Sequence, residues 1–146
     1  MCAKTLLVCG LVGVALGCGG SGSTVPNPTG KGLLARSIER AKYSGYFHQI
    51  RQAYVACDLN DGHGPADLER LKPELESNRA ICDSIQNGQI VVIWGVSLQN
   101  TPGNAVLAYE KDADDKGKRF VLLAGGGIEE MQDAEFKAAP KAQSKR

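Results

Sequence analysis

The chain has no surplus of either charge, only two histidines, and no apolar run long enough to cross a bilayer. Formal net charge is +1, and leaving out residues 1–17 removes Lys4, so that 16 basic side chains face 16 acidic ones. A basic face supplies most of the affinity for nucleic acid, so this balance argues against nucleic acid as a partner. The only basic cluster, Lys137, Lys141, Lys145 and Arg146, closes the chain and reads as a solvated tail. His48 and His63 stand 15 residues apart, with no Cys, His or carboxylate at metal-ligand spacing around them. Neither a Gly-x-Ser-x-Gly elbow nor a His-Glu-x-x-His helix is present. An enzyme is therefore the third-ranked reading, and no residue stands out as catalytic.

What is present is ordinary enough to fold. With 42% hydrophobic and 23% charged residues, a packed domain is expected rather than disorder. The first 30 or so residues do not look globular, which leaves about 115 for one domain with a modest core.

The amino terminus carries the strongest signal. Lys4 gives a short positive start, and Thr5 to Gly17 is an uncharged, mostly apolar run of 13 residues. A spanning helix needs about 20 apolar residues, so this run suits a secretory signal rather than a stable anchor. It ends Ala15-Leu16-Gly17-Cys18, followed by Gly19 and Gly20. That ending resembles the lipobox of bacterial lipoproteins, with Ala15 where leucine is usual. The resemblance implies cleavage before Cys18, diacylglycerol on its thiol and acylation of the new amino group. Several acyl chains, at about 0.8 kcal/mol per buried methylene, would hold the protein on a membrane. Gly19 to Gly32 has Gly, Ser, Thr, Pro and Asn and no large apolar side chain except Val25. It reads as a tether spanning on the order of 20 Å. The organisation expected is a signal peptide over 1–17, a lipidated cysteine and tether over 18–32, a domain over 33–139, and a basic tail over 140–146.

Export also changes what the cysteines mean. Cys57 and Cys82 remain for a compartment in which a disulfide persists. Cys57 lies on an apolar helical stripe, so a buried small hydrophobe is the favoured reading, and a bond between the two stays open.

Leu33 to about Leu59 reads as a long helix. Tyr43, Phe47, Ile50, Tyr54 and Cys57 share one face, at spacings of four, three, four and three. Leu34, Ile38 and Ala41 form an earlier stripe on nearly the opposite side, and the phase changes at Ser44-Gly45, a pair of the kind where helices kink. The second half is expected to pack on the domain, and the first to project or to pack elsewhere. Pro65-Ala66-Asp67-Leu68 starts a short helix limited by Pro73, and Ser77 or Asn78 caps another that Asn87-Gly88 closes. Gln89 to Val96 is apolar on both faces and reads as a central strand. Strands follow at 105–110, 119–124 and 128–131, and a last short helix at 133–139. The fold class expected is α+β: a long amino-terminal helix on a small antiparallel sheet of about four strands, with short extra helices.

Several phrases in this order resemble the pilin and type II pseudopilin fold, and more narrowly the pseudopilin-derived bacterial domains of unknown function. They are Gln49-Ile50 and Ala53-Tyr54, Gly64-Pro65-Ala66-Asp67-Leu68, Val106 to Lys111, and Leu122-Leu123-Ala124-Gly125-Gly126, with Met131 and Phe136. The family's Asp-Gly signature is replaced here by Gly125-Gly126, and Asp115 stands about where its histidine is expected. The long apolar segment by which pilins polymerise is replaced by the lipobox and tether. The resemblance implies the fold and not a filament. Major pseudopilins bind calcium in a loop between late strands, and Asp112, Asp114 and Asp115 resemble such a site by position. Lys111, Lys116 and Lys118 flank them, so a solvated hairpin loop is the competing reading. Asp58, Asn60, Gly62 and Glu69 do not make an EF-hand, because Gly62 and His63 occupy the fifth and sixth positions. Gly125 to Gly127 leads into a strand and not a helix, so it reads as a turn and not a phosphate cradle. Trp94 reads as core.

The function expected is that of a membrane-anchored, non-catalytic envelope lipoprotein, its domain facing the periplasm or cell surface in a structural or protein-binding role. Its partners would be the membrane, through the lipid, and an envelope protein. A small-ligand or calcium-binding module is the second class.

Overall fold

The computed structural model describes residues 30–75 and 78–144, with side chains from Ser37 onward. The expected signal peptide, Cys18 and most of the tether lie outside the described residues, as do Ser77 and the last two residues of the basic tail.

Helix α1 (Gly30–Asp61) opens the domain, starting three residues before the Leu33 expected from the sequence. It runs as one helix through Ser44-Gly45. Its second half packs as the stripe requires: Phe47, Ile50, Ala53, Tyr54 and Cys57 are buried. Ile38, on the earlier stripe, is 69% exposed. Gly62, at φ +74°, lets the chain leave the helix in the left-handed region.

Helix α2 (Leu68–Leu71) begins where Asp67 accepts a hydrogen bond from the Arg70 amide at 3.0 Å. The α-helix ends at Leu71, just before Pro73, and the chain goes on as a 3-10 turn over Lys72–Leu75. Helix α3 (Arg79–Gln86) follows Asn78. The Asn78 side chain makes no cap; it donates instead to Gln49 on α1 at 2.9 Å.

Strands β1 (Ile90–Val92), β2 (Val106–Glu110), β3 (Lys118–Leu123) and β4 (Ile128–Gln132) form one antiparallel sheet in chain order, closed by helix α4 (Asp133–Ala138). The fold is α+β, as the order of periods implied. A bulge between Val106 and Ala108 turns both Leu107 and Ala108 to the α1 side, where Ile90, Val92 and Leu122 also pack. Leu71, Leu75 and Ile81 complete that core. Fully buried side chains of this size contribute roughly 1.5–3 kcal/mol each. Val106, Val121 and Leu123 face the other way and pack with Tyr109, Met131 and Phe136.

Two sequence expectations fail here for physical reasons. The apolar run 89–96 is an edge strand three residues long, not a central one. Its later residues leave the ladder and bond to the loop after α1: Gly95 N donates to Pro65 O at 2.8 Å, and Gly64 N to Val96 O at 3.1 Å. A loop thus takes up backbone hydrogen bonds that a second neighbouring strand would make, and along β1 burial alternates, with Ile90 and Val92 buried and Val91 half-buried. The start of the expected basic tail is docked. Val106 N donates to Pro140 O at 2.8 Å and Ala142 N to Val106 O at 2.9 Å, a parallel bridge in the space β1 vacates. Ala142 is buried, and the Lys141 ammonium bonds the carbonyls of Phe136 and Ala139 over the Phe136 ring.

Candidate functional site

A cleft of about 410 Å³ lies between α1 and the β2–β3 hairpin. Arg40 and Tyr43, seven and four residues before Phe47, continue the packed face of α1 toward it. Glu110 ends β2, and Arg119 and Phe120 stand near the start of β3. The hairpin loop supplies Lys116.

Each charged group is held by identifiable contacts. Glu110 is half-buried, and its Oε2 accepts the Phe120 amide at 2.7 Å. Burial pushes its carboxyl above the ordinary value, while the Phe120 amide and the Arg40 charge pull the other way. Burial, and then the Glu110 charge, also raise the Tyr43 phenol. Arg40 pairs with Glu130 on β4 and lies over the Phe120 ring at 5.7 Å. Arg119 donates from Nη1 to the carbonyls of Glu110 at 3.3 Å and Lys111 at 2.7 Å. Its Nη2 binds Asp133, and the guanidinium sits over Phe136 at 4.5 Å.

The three loop aspartates separate into different roles. Asp114 Oδ1 accepts the amides of Lys116 at 2.9 Å and Lys118 at 2.8 Å, and those bonds hold its carboxyl below the usual range. It builds the turn, together with Gly117 at φ +73°. Asp115 lines the cleft with Asp114, whereas Asp112 is exposed and outside it. Among the described residues no group of three or more His, Cys, Asp or Glu side chains is placed to hold a metal ion. Cys57 and Cys82 are both free thiols, the first buried and the second half-buried. Cys57 Sγ donates to Arg70 O at 3.7 Å, and burial pushes its thiol up. His48 and His63 are exposed and lie outside the cleft. Trp94 is half-buried against the main core.

The Gly125–Gly127 segment is the turn expected, with Gly126 at φ +94°. Arg51 from α1 lies against it, Nη2 donating to Gly125 O at 3.4 Å. A Cβ on Gly126 would come within 2.0 Å of Arg51 Nε. The sequence reading missed Glu110, Arg119, Arg40 and Tyr43 as a group. Their one local signal was a carboxylate closing the apolar strand Val106 to Glu110.

Two pH limbs of opposite sign follow. The folded state binds the Glu110 proton more tightly than the unfolded chain does, so stability falls as pH rises above the ordinary 4.5 and through the raised value. Asp114 contributes stability above its ordinary 3.8, which is lost as pH falls through the lowered value. Glu110→Gln keeps an oxygen for the Phe120 amide and is expected to abolish the first decline while sparing the acid limb. Urea midpoints of both proteins across pH check this. A wild-type minus variant difference that stays constant from pH 4.5 to neutrality contradicts it.

No family model, no curated protein and no solved structure matches this chain.

Proposed function

We propose that this protein is a lipoprotein of the bacterial cell envelope, held on a membrane by lipid at Cys18. In this reading its domain is pseudopilin-like, has no catalytic role, and works structurally or by binding another envelope protein. The observation that carries the anchor is the run Thr5 to Gly17 ending in Ala15-Leu16-Gly17-Cys18. It is too short to span and is followed by a polar tether. No described helix is long and apolar enough to cross a membrane. The long helix followed by an antiparallel sheet in chain order supports the pseudopilin likeness.

A binding role is favoured by the side chains presented. The cleft offers carboxylates, ammonium groups and a phenol, while both histidines lie elsewhere. Beside it the first half of α1 presents Ile38 to solvent.

Crosslinking tests the partner. The full-length chain, carrying a photoreactive side chain at position 38, is expected to yield a discrete adduct with one envelope protein in intact cells. The same probe at exposed His48 serves as the control. Adducts indistinguishable between the two positions, or none at position 38, contradict a protein-binding role for this face.

A further inference from the structure

The charges of the cleft divide into those already engaged and those left over. Arg40 and Arg119 are held by Glu130 and Asp133, neither of which lines the cleft. Asp114 is taken up by two backbone amides, and Asp115 is likewise not free. Glu39, Glu110, Lys116 and Lys118 remain. Among the described residues none of these four side chains enters an ion pair. Glu110 uses only Oε2 internally, and Oε1 is not one of the enclosed, unpartnered atoms. So Oε1 has access to the cleft.

The residual set is therefore two carboxylates and two ammonium groups, with the Tyr43 phenol beside Glu110. The carboxylates come from α1 and the end of β2, and the ammonium groups from the hairpin loop and the first residue of β3. Glu39 on α1 thus stands across the cleft from the hairpin that carries Glu110, Lys116 and Lys118. A ligand of net charge +1 or −1 would leave one pair uncompensated, whereas a molecule with an ammonium at one end and a carboxylate at the other satisfies both. Tyr43 and Phe120 add aromatic wall to the site. At about 410 Å³ the cleft falls in the size range of small-molecule sites, which runs from roughly 300 to 1,000 Å³. A specific protein interface instead covers about 800 Å² on each partner.

We propose that the cleft between α1 and the β2–β3 hairpin binds a small zwitterion of the amino-acid or dipeptide class. The ligand ammonium sits on Glu110 and Glu39 and its carboxylate on Lys116 and Lys118. The raised carboxyl of Glu110 is consistent with this role, because a bound cation offsets the cost of keeping that half-buried group ionised. This inference does not depend on the lipid anchor or on a protein partner, and it is tested without either.

The test is calorimetric titration of the full-length protein in detergent with alanine, with alanylalanine, and with alanylalanine capped as its N-acetyl or amide derivative. A saturable heat is expected with at least one of the uncapped probes. Each cap should weaken binding about tenfold or more, as the loss of a charge-assisted contact does. Glu110→Gln and Lys116→Gln should each do the same, and His48→Gln should bind as the parent does. Lys116 lies in an exposed loop, so that variant keeps the test decisive if Glu110→Gln does not fold. Absence of saturable heat from both uncapped probes overturns the proposal. So does equal binding of capped and uncapped dipeptide, or unchanged binding by Lys116→Gln.

Discussion

Tyr54→Phe is expected to cost about 2–4 kcal/mol of stability, far more than one hydroxyl on an exposed ring would. Tyr54 is fully buried, and its hydroxyl works in both directions. It donates to Ile93 O at 3.1 Å and accepts from Val96 N at 2.9 Å. These bonds hold the stretch where β1 leaves the sheet, so one phenol ties α1 to the departing strand. Burial pushes its pKa up to about 12, so the hydroxyl keeps its proton across the usable pH range. Phenylalanine fills the same space but strands a buried amide and a part-buried carbonyl, at roughly 1–3 kcal/mol each. Tyr54→Ala adds a cavity, for a total of about 3–5 kcal/mol or more. Against a total stability of roughly 5–15 kcal/mol, the alanine loss is a large fraction. Urea unfolding gives the number directly, with an unchanged slope as the sign that stability alone has moved. A midpoint for Tyr54→Phe equal to the parent's would mean the hydroxyl bonds contribute nothing.

Gly64→Ala is expected to be nearly as damaging, although it adds a single methyl group. A Cβ at this position would lie 2.3 Å from Tyr54 Cε1 and from Val96 O, and 2.4 Å from the Tyr54 hydroxyl oxygen. Two of these neighbours belong to a fixed ring and one to backbone, so no flexible side-chain end can yield. The chain must retreat, breaking the 3.1 Å bond from Gly64 N to Val96 O and moving the partner of the Tyr54 hydroxyl. Overpacking of this kind costs about 1–3 kcal/mol, and the lost bonds bring the expected total to roughly 3 kcal/mol or more. The two substitutions share their contacts, so they should not add. Tyr54→Phe removes the hydroxyl that the new methyl would strike, and the double variant is expected to be more stable than the sum of the single losses. A thermal or urea double-mutant cycle measures the difference. Strict additivity would show that Gly64 and Tyr54 act independently, against the geometry.

Much of this junction could be read from residues alone, and part of it could not. The stripe through Tyr43, Phe47, Ile50, Tyr54 and Cys57 repeats every three or four residues, and burial follows it because period and packing are locally coupled. Strands β2 and β3 fall within one residue of where their apolar runs place them, since turn residues bound them on both sides. The place of β1 was not legible. Apolar residues on both faces imply a central strand, yet Val91 is only half-buried and the backbone beyond Val92 bonds to the Gly64-Pro65 loop. Pairing of Lys141 with Val106 is also invisible locally, because nothing in a basic, Pro-containing tail announces a sheet partner 35 residues earlier. The cleft fails for the same reason. Arg40, Glu110 and Arg119 are each unremarkable in sequence and become a site only when α1 crosses the hairpin. The aspartates at 112, 114 and 115 were visible as a cluster, yet Asp114 spends its carboxylate on closing the turn.

The anchor is the claim on which the biological reading rests, and intact mass of the protein extracted from membranes tests it most directly. The expected species begins at Cys18, lacks residues 1–17, and is heavier than the bare polypeptide by a diacylglyceryl group and one further acyl chain. The Cys18→Ser form should carry neither the cut nor the added mass. A membrane-extracted chain that retains Met1 or begins elsewhere, with no lipid on Cys18, would contradict it.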